Sequence, residues 1–286
     1  MTAVPEKIST YLRMIKFSHS IFALPFAFTS AIIASSGIPT LKQIFWIIIA
    51  MVGARSGAMG LNRIIDLDID RKNPRTSSRE LPQGIISLSE ALAFVIVSFG
   101  LMVFSAYMLN PLCLKLSPIA IVVLILYSYT KRFTWASHFV LGLSIAGAPL
   151  GAWIAVKGTL DMEIIALGTA IVFWLAGFDI LYALQDIDFD KEHGLYSIPK
   201  RFGLRKSLYL SRIFHMLAFA LFVINGLIFN LNGFYWTGIV ITGVLLIYEH
   251  SLIREDDLRK LNMAFFNMNG YISMTIFVFT LMDYLI

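Results

Sequence analysis

Asn62, Asp66 and Asp70 recur at i, i+4 and i+8, at the end of a long apolar run. On a helix that spacing places one amide oxygen and two carboxylates on one face, with Asp68 pointing elsewhere. An all-oxygen set of this kind suits a hard cation such as Mg²⁺, which uses few protein ligands and brings substrate phosphates with it. Taken alone, the pattern also reads as a helix boundary with solvated charges. A second set weighs against that. Asp179, Tyr182, Asp186 and Asp190 end another apolar run and again share one helical face.

Each set is followed by a basic stretch with Pro and Gly, residues 79–84 (Arg-Glu-Leu-Pro-Gln-Gly) and 197–203 (Ser-Ile-Pro-Lys-Arg-Phe-Gly). Four carboxylates, Asp66, Asp70, Asp186 and Asp190, need cations. Two Mg²⁺ ions bridged by a diphosphate would neutralise them. Lys and Arg from the adjoining loops would take the remaining phosphate oxygens. An allylic diphosphate held this way would ionise, and aromatic faces in an apolar chamber would stabilise the resulting carbocation.

These motifs must be positioned by membrane helices. The 286 residues are 58% hydrophobic and only 14% charged, with mean hydropathy +0.76. Soluble domains carry about 25% charged residues. The lone Cys113 excludes an internal disulfide framework, no cleavable signal peptide is legible, and nothing points to nucleic acid as a partner. The class is an all-α membrane protein. Apolar stretches predict nine transmembrane helices at 18–36, 41–62, 88–109, 115–130, 135–156, 163–185, 207–229, 234–253 and 262–283. Residues 1–17 predict an amphipathic interfacial segment, and 18–286 a single transmembrane domain.

The Lys and Arg distribution agrees. Alternate connections hold Lys42, Lys115 and Lys157, while the other set holds most of the rest, including Arg13, Lys16, Arg79, Lys131, Lys191 and Lys200. By the positive-inside rule the N-terminus and both acidic motifs are cytoplasmic and the C-terminus periplasmic. The motifs lie four spans apart, so their helices run the same way. This predicts a pseudo-repeat of spans 2–5 and 6–9 with a site between them.

At these residues the chain resembles the UbiA family of intramembrane aromatic prenyltransferases. Asn62-x-x-x-Asp66-x-x-x-Asp70 is similar to the family's first Asp-rich motif. Asp186-x-x-x-Asp190, with Asp179, Tyr182 and Lys191, is similar to the second, and Tyr127 to Lys131 resembles a Tyr-x-x-x-Lys element. Arg63 departs from the family pattern, where Asp is common. The resemblance implies nine helices around a central cavity, Mg²⁺ as cofactor, and polyprenyl diphosphate as donor, in the bacterial inner membrane. Residues 17–27 look most like members acting on 4-hydroxybenzoate, in ubiquinone or menaquinone biosynthesis. A carboxylated naphthol is an alternative aromatic acceptor within the family. A cation-coupled carrier is the alternative from another class, although the acidic motifs lie at helix ends and not at mid-membrane.

The expected site is thus Asp66, Asp70, Asp186 and Asp190 as catalytic metal ligands with Asn62. Arg55, Arg79, Tyr127, Lys131, Asp179, Tyr182 and Lys191 join Asn62 in binding substrate. Arg55 lies two turns before Asn62. An Arg within a span is a functional candidate, for the acceptor carboxylate, for diphosphate, or as a partner of Asp179. Glu249 and His250 read as a solvated helix end, His19 as an interfacial histidine, and Asn267 and Asn269 either as groups that meet the cavity or, equally well, as interhelical packing bonds.

Overall fold

The computed structural model describes residues 4–16, 22–255 and 257–286. Among these the regular secondary structure is helical, apart from one isolated bridge between Arg254 and Asp257. The helices are α1 (Val4–Met14), α2 (Leu24–Ser35), α3 (Leu41–Ile65), α4 (Leu67–Lys72), α5 (Leu88–Leu109), α6 (Pro111–Thr130) and α7 (Ser137–Lys157). They continue as α8 (Glu163–Ala183), α9 (Ile187–Glu192), α10 (Ile198–Ile228), α11 (Gly233–Leu252), α12 (Leu261–Met263) and α13 (Asn269–Leu285). Six of the described helices, α3, α5, α6, α7, α8 with its extension through α9, and α10, are long and apolar enough to cross a membrane. α2 is apolar but shorter, and residues 17–21, including His19, lie outside the described residues.

Local chemistry sets the boundaries. Ser87 caps α5 in a reciprocal box: its side chain accepts from the Glu90 N–H, and the Glu90 carboxylate accepts from the Ser87 N–H. Gly158 ends α7 in the left-handed conformation, at φ 75°, that only Gly adopts without cost. Pro25 sits in the first turn of α2, where its missing N–H is harmless, so it does not kink the helix. Two expected spans begin earlier than their apolar runs, α6 at Pro111 and α10 at Ile198. α10 is interrupted at Gly203, whose φ of 79° and ψ of 171° are not helical.

Packing divides the chain into two units, residues 1–20 with 45–129, and residues 21–44 with 130–286. This division does not follow the halves of the expected repeat, because α7 packs with α2 and α8. In the first unit Met14 and Ile15 are buried against Leu81, Ile86 and Ala91. In the second, Phe26 packs edge-on to Trp174 and stacks on Phe222, both at the centre of a large aromatic core. Outside these cores Ile96, Val97, Phe104, Val122 and Val240 point outward as exposed apolar side chains, as expected of surfaces that meet lipid.

Glu249 and His250 are not a solvated end. The Glu249 side chain is wholly buried, and the Asn269 amide donates to its Oε1 at 3.1 Å. His215 Nε2 lies 3.1 Å from the Trp174 carbonyl, which can only accept, so that nitrogen carries the proton. His215 Nδ1 lies 2.9 Å from His250 Nε2. Hydrogen bonds from Asn269, His215 and His250 tie α8, α10, α11 and α13 together around this end, although Glu249 Oε2 is left without one. Asn269 is part of this network, while Asn267 is exposed.

Close helix contact depends on small residues, as is usual between membrane helices. A Cβ on Gly142 would lie 2.7 Å from the Val172 carbonyl oxygen, whereas one on Gly147, in the same helix, would meet nothing within 4 Å. Gly142→Ala should therefore cost about 1–3 kcal/mol through forced separation of α7 and α8. Gly147→Ala should be neutral or slightly stabilising. Thermal unfolding of the two purified variants in one detergent measures the difference.

Candidate functional site

The first acidic motif straddles a break. α3 ends at Ile65, Asp66 has φ −90° and ψ 5°, and α4 begins at Leu67. A single uninterrupted helix, as the spacing suggests, is therefore not present. The backbone bonds nevertheless run on, from Asp66 N–H to the Asn62 carbonyl and from Asp70 N–H to the Asp66 carbonyl. The shared face survives for that reason. Asp66 and Asp70 are buried, at 2% and 3% exposure, while the Asp68 side chain is 89% exposed.

Both buried carboxylates have donors. The Asn62 amide donates to Asp66 Oδ2 at 3.1 Å. Arg79 Nη1 reaches both oxygens of Asp70, at 2.8 and 2.7 Å. The loop between them is built for this return. Asn73 accepts the Arg75 N–H on its side chain and the Thr76 and Ser77 N–H groups on its carbonyl. Thr76 then donates to the Asp70 carbonyl. Arg63 is buried, and its Nε donates to the Met14 carbonyl, so this departure from the family pattern clamps the end of α1 and is not a ligand.

The same unit concentrates positive charge beside the motif. Burial, then Arg79, Arg63 and Arg75, push the Lys16 ammonium down to about 8. Because its pKa is lower folded than unfolded, loss of this proton favours folding between about pH 8 and the ordinary lysine range, and an anion bound beside Lys16 opposes that loss. Tyr127 lies within electrostatic reach of Asp66, Arg63 and Arg55. Arg55 makes one long contact, 3.5 Å from its Nη2 to the Lys16 carbonyl, and its Nε is buried with no hydrogen-bond partner.

The second motif is likewise interrupted. A 3₁₀ turn over Leu184–Asp186 separates α8 from α9. Asp190 is buried and its Oδ2 accepts from Ser197 Oγ at 2.7 Å. Asp186 is half-buried, and Asp188 points out with its side chain 97% exposed. Asp186, Lys131 and Lys200 surround Asp190 electrostatically. Tyr182 is half-buried against the aromatic core. Lys191 is not brought to this face, because it is exposed and pairs with Asp188 at 3.3 Å. Asp179 accepts from His138, 2.7 Å away. His138 and Lys200 are functional candidates that spacing alone does not single out. A histidine between a basic loop and an apolar helix carries no distinctive pattern.

Among the described residues no three carboxylate, imidazole or thiol side chains converge as a ready-made metal cage. Mg²⁺ does not require one, since it keeps waters and phosphate oxygens in its shell. The donor chemistry fits it. Asp66 and Asp70 are hard oxygen donors, the Asn62 amide can present its oxygen by a flip, and the Arg79 guanidinium already occupies Asp70 as a cation would.

This last contact generates a prediction. With the Asp70 and Arg79 side chains 4% and 18% exposed, Arg79→Met leaves a buried carboxylate unpaired and should cost about 3 kcal/mol. Added Mg²⁺ should recover more of the loss in this variant than it adds to the wild type. Melting temperature against Mg²⁺ concentration for both proteins checks it.

The UbiA prenyltransferase family profile matches residues 23–271. A 4-hydroxybenzoate octaprenyltransferase of Shewanella woodyi is 31% identical over 288 residues, covering 99% of this chain and 100% of that protein. The apo structure of a UbiA homolog from Aeropyrum pernix K1 superposes with a TM-score of 0.85 at 32% identity, over 93% of this chain and 98% of that one. A UbiA homolog from Archaeoglobus fulgidus, solved with GPP and Mg²⁺, shares the fold at a TM-score of 0.72 and 21% identity, over 97% of this chain and 100% of that one. With its two acidic motifs in place within a chain matched almost end to end, this protein belongs to the UbiA prenyltransferase family.

Proposed function

We propose that this chain moves a polyprenyl group from polyprenyl diphosphate to an aromatic acid of the 4-hydroxybenzoate type, in quinone biosynthesis. The observation that carries the reading is the pair of buried carboxylates Asp66 and Asp70, held by Asn62 and Arg79 while Asp68 faces out. The name of the Shewanella woodyi relative supports the acceptor class, and the GPP and Mg²⁺ in the Archaeoglobus fulgidus structure support the donor and the cofactor.

In this reading Asn62, Asp66, Asp70, Asp186 and Asp190 hold Mg²⁺, two ions for a diphosphate. The metal supplies charge neutralisation that makes diphosphate a leaving group. Arg79, Lys131 and Lys200 bind phosphate oxygens, and Tyr127, Asp179 and Tyr182 also serve in substrate binding. The C–O bond of the donor breaks, and its electron pair leaves with diphosphate. An aromatic carbon next to the phenolic hydroxyl attacks the allylic cation, and its proton is then lost. The topology is nine membrane spans with the α1 segment at the interface, cytoplasmic acidic motifs and a periplasmic C-terminus, built on a repeat of spans 2–5 and 6–9.

The test is incubation of purified protein with Mg²⁺, labelled prenyl diphosphate and a panel of acids that includes 4-hydroxybenzoate and carboxylated naphthols. A labelled lipid product names the acceptor, and flux into sealed vesicles without product points to a carrier. Asp66→Ala, Asp70→Ala, Asp186→Ala and Asp190→Ala should each nearly abolish transfer, with Asp68→Ala and Asp188→Ala far milder. An essential Asp68 beside a dispensable Asp70 would overturn the assignment.

Arg55 divides the two substrates. It lies about 10 Å along the helix from Asn62, and its buried Nε has no partner. An acceptor carboxylate there would relieve the cost of that group, and an unpaired carboxylate in an apolar cavity would cost several kcal/mol without it. Arg55→Leu should raise KM for the acceptor at least about tenfold and leave KM for the donor nearly unchanged, since loss of uniform binding appears in KM. A rise confined to the donor would assign Arg55 to diphosphate.

A further inference from the structure

His138 is 3% exposed and sits in the first turn of α7. Its Nε2 lies 3.3 Å from the backbone nitrogen of Ile198, which can only donate. That nitrogen of the ring therefore accepts, and the proton sits on Nδ1. Nδ1 in turn donates to Asp179 Oδ2 at 2.7 Å. The two bonds set both the tautomer and the rotation of the ring.

Ile198 is the first residue of α10, and the neighbouring Ser197 is its cap. Ser197 Oγ accepts from the Lys200 N–H at 3.3 Å and donates to Asp190 Oδ2 at 2.7 Å. Two aspartates of the second motif thus reach the same helix turn through one side chain each. Asp190 does so through Ser197, and Asp179 through His138. That turn carries Lys200 and Arg201, and Gly203 separates it from the rest of α10. A turn cut off in this way takes its position from side-chain ties rather than from the long helix behind it.

We propose that His138 is the positioning residue of the second acidic motif: it orients the Asp179 carboxylate and holds the first turn of α10, with Lys200 and Arg201, in register with it. The proposal rests on the prenyl-transfer reading above. A histidine that merely fills the core would affect the amount of folded protein and leave the turnover of each folded molecule alone.

The test compares His138→Leu, His138→Gln and Asp179→Asn, with kcat and KM normalised to folded protein. His138→Leu removes both ties and should lower kcat/KM for the prenyl diphosphate about 10–100-fold, the range seen when the partner of a ligating group is lost. His138→Gln can donate to Asp179 from its amide nitrogen and accept from Ile198 on its amide oxygen, so it should restore most of that loss. His138→Leu combined with Asp179→Asn should be no worse than Asp179→Asn alone, because coupled residues do not multiply their effects. Amide exchange over residues 196–203 should quicken in His138→Leu and return toward wild type in His138→Gln. If the leucine variant does not fold, His138→Asn keeps the Asp179 bond, releases Ile198, and should lose about tenfold.

Wild-type kcat and KM in His138→Leu, or in His138→Asn where that stands in, would overturn the inference. So would multiplying effects in the double variant. Failure of the wild type to transfer any prenyl group would overturn the functional reading and this role with it. Turnover by the wild type together with an unaffected His138 variant would remove this role alone.

Discussion

A carboxylate withdrawn from water must be given a donor, and this requirement shapes both acidic motifs. Asp66 has Asn62, Asp70 has Arg79, Asp179 has His138, and Asp190 has Ser197. A buried charge without such a partner would cost several kcal/mol. Arg79, His138 and Ser197 are drawn from loops and neighbouring helices, so folding and the placing of the acidic groups are one event. Arg79 illustrates the coupling. It reaches Asp70 only because Asn73 and Thr76 turn the chain back after α4.

The same rule explains Glu249, which is buried far along the sequence from either motif. It shares its environment with Asn269, His215 and His250, and the imidazole pair is joined to itself and to the Trp174 carbonyl. Hydrogen bonds between these side chains let a polar cluster pack beside a core that contains Trp174, Phe178 and Leu246. Polar residues within membrane helices are read most safely by asking what faces them across the helix contact, rather than by how near they lie to a helix end.

Much of the frame was legible in the sequence because two periodicities are strong. Long apolar runs marked the helices, and four-residue spacing sorted Asp66 and Asp70 from Asp68, and Asp190 from Asp188. What escaped has a common cause. His138 binds residues 41 and 60 positions away, so no local pattern announces it. Lys191 looked equivalent to the other loop cations, yet a pairing three residues back with Asp188 turns it outward. The break after Ile65 was invisible because the i to i−4 hydrogen bonds continue through it. The early start of α10 was hidden by its charge, since Lys200, Arg201, Arg205 and Lys206 interrupt the apolar pattern while Ser197 and Pro199 supply a good helix start.

Gly203 has a consequence for how this protein tolerates change. In a continuous helix, inserting one residue rotates everything beyond it by about 100° and carries apolar side chains off their contacts. At Gly203 the backbone leaves the helical region, and the twist accumulated in the first turn is not handed on. The buried face of Ser207, Ser211, Ala218 and Phe222 is therefore insulated from edits upstream. Lengthening or recomposing the basic turn would move its charges while the long helix kept its seating. That separation gives the loop latitude to diverge between related proteins while the helices behind it stay under tight steric constraint.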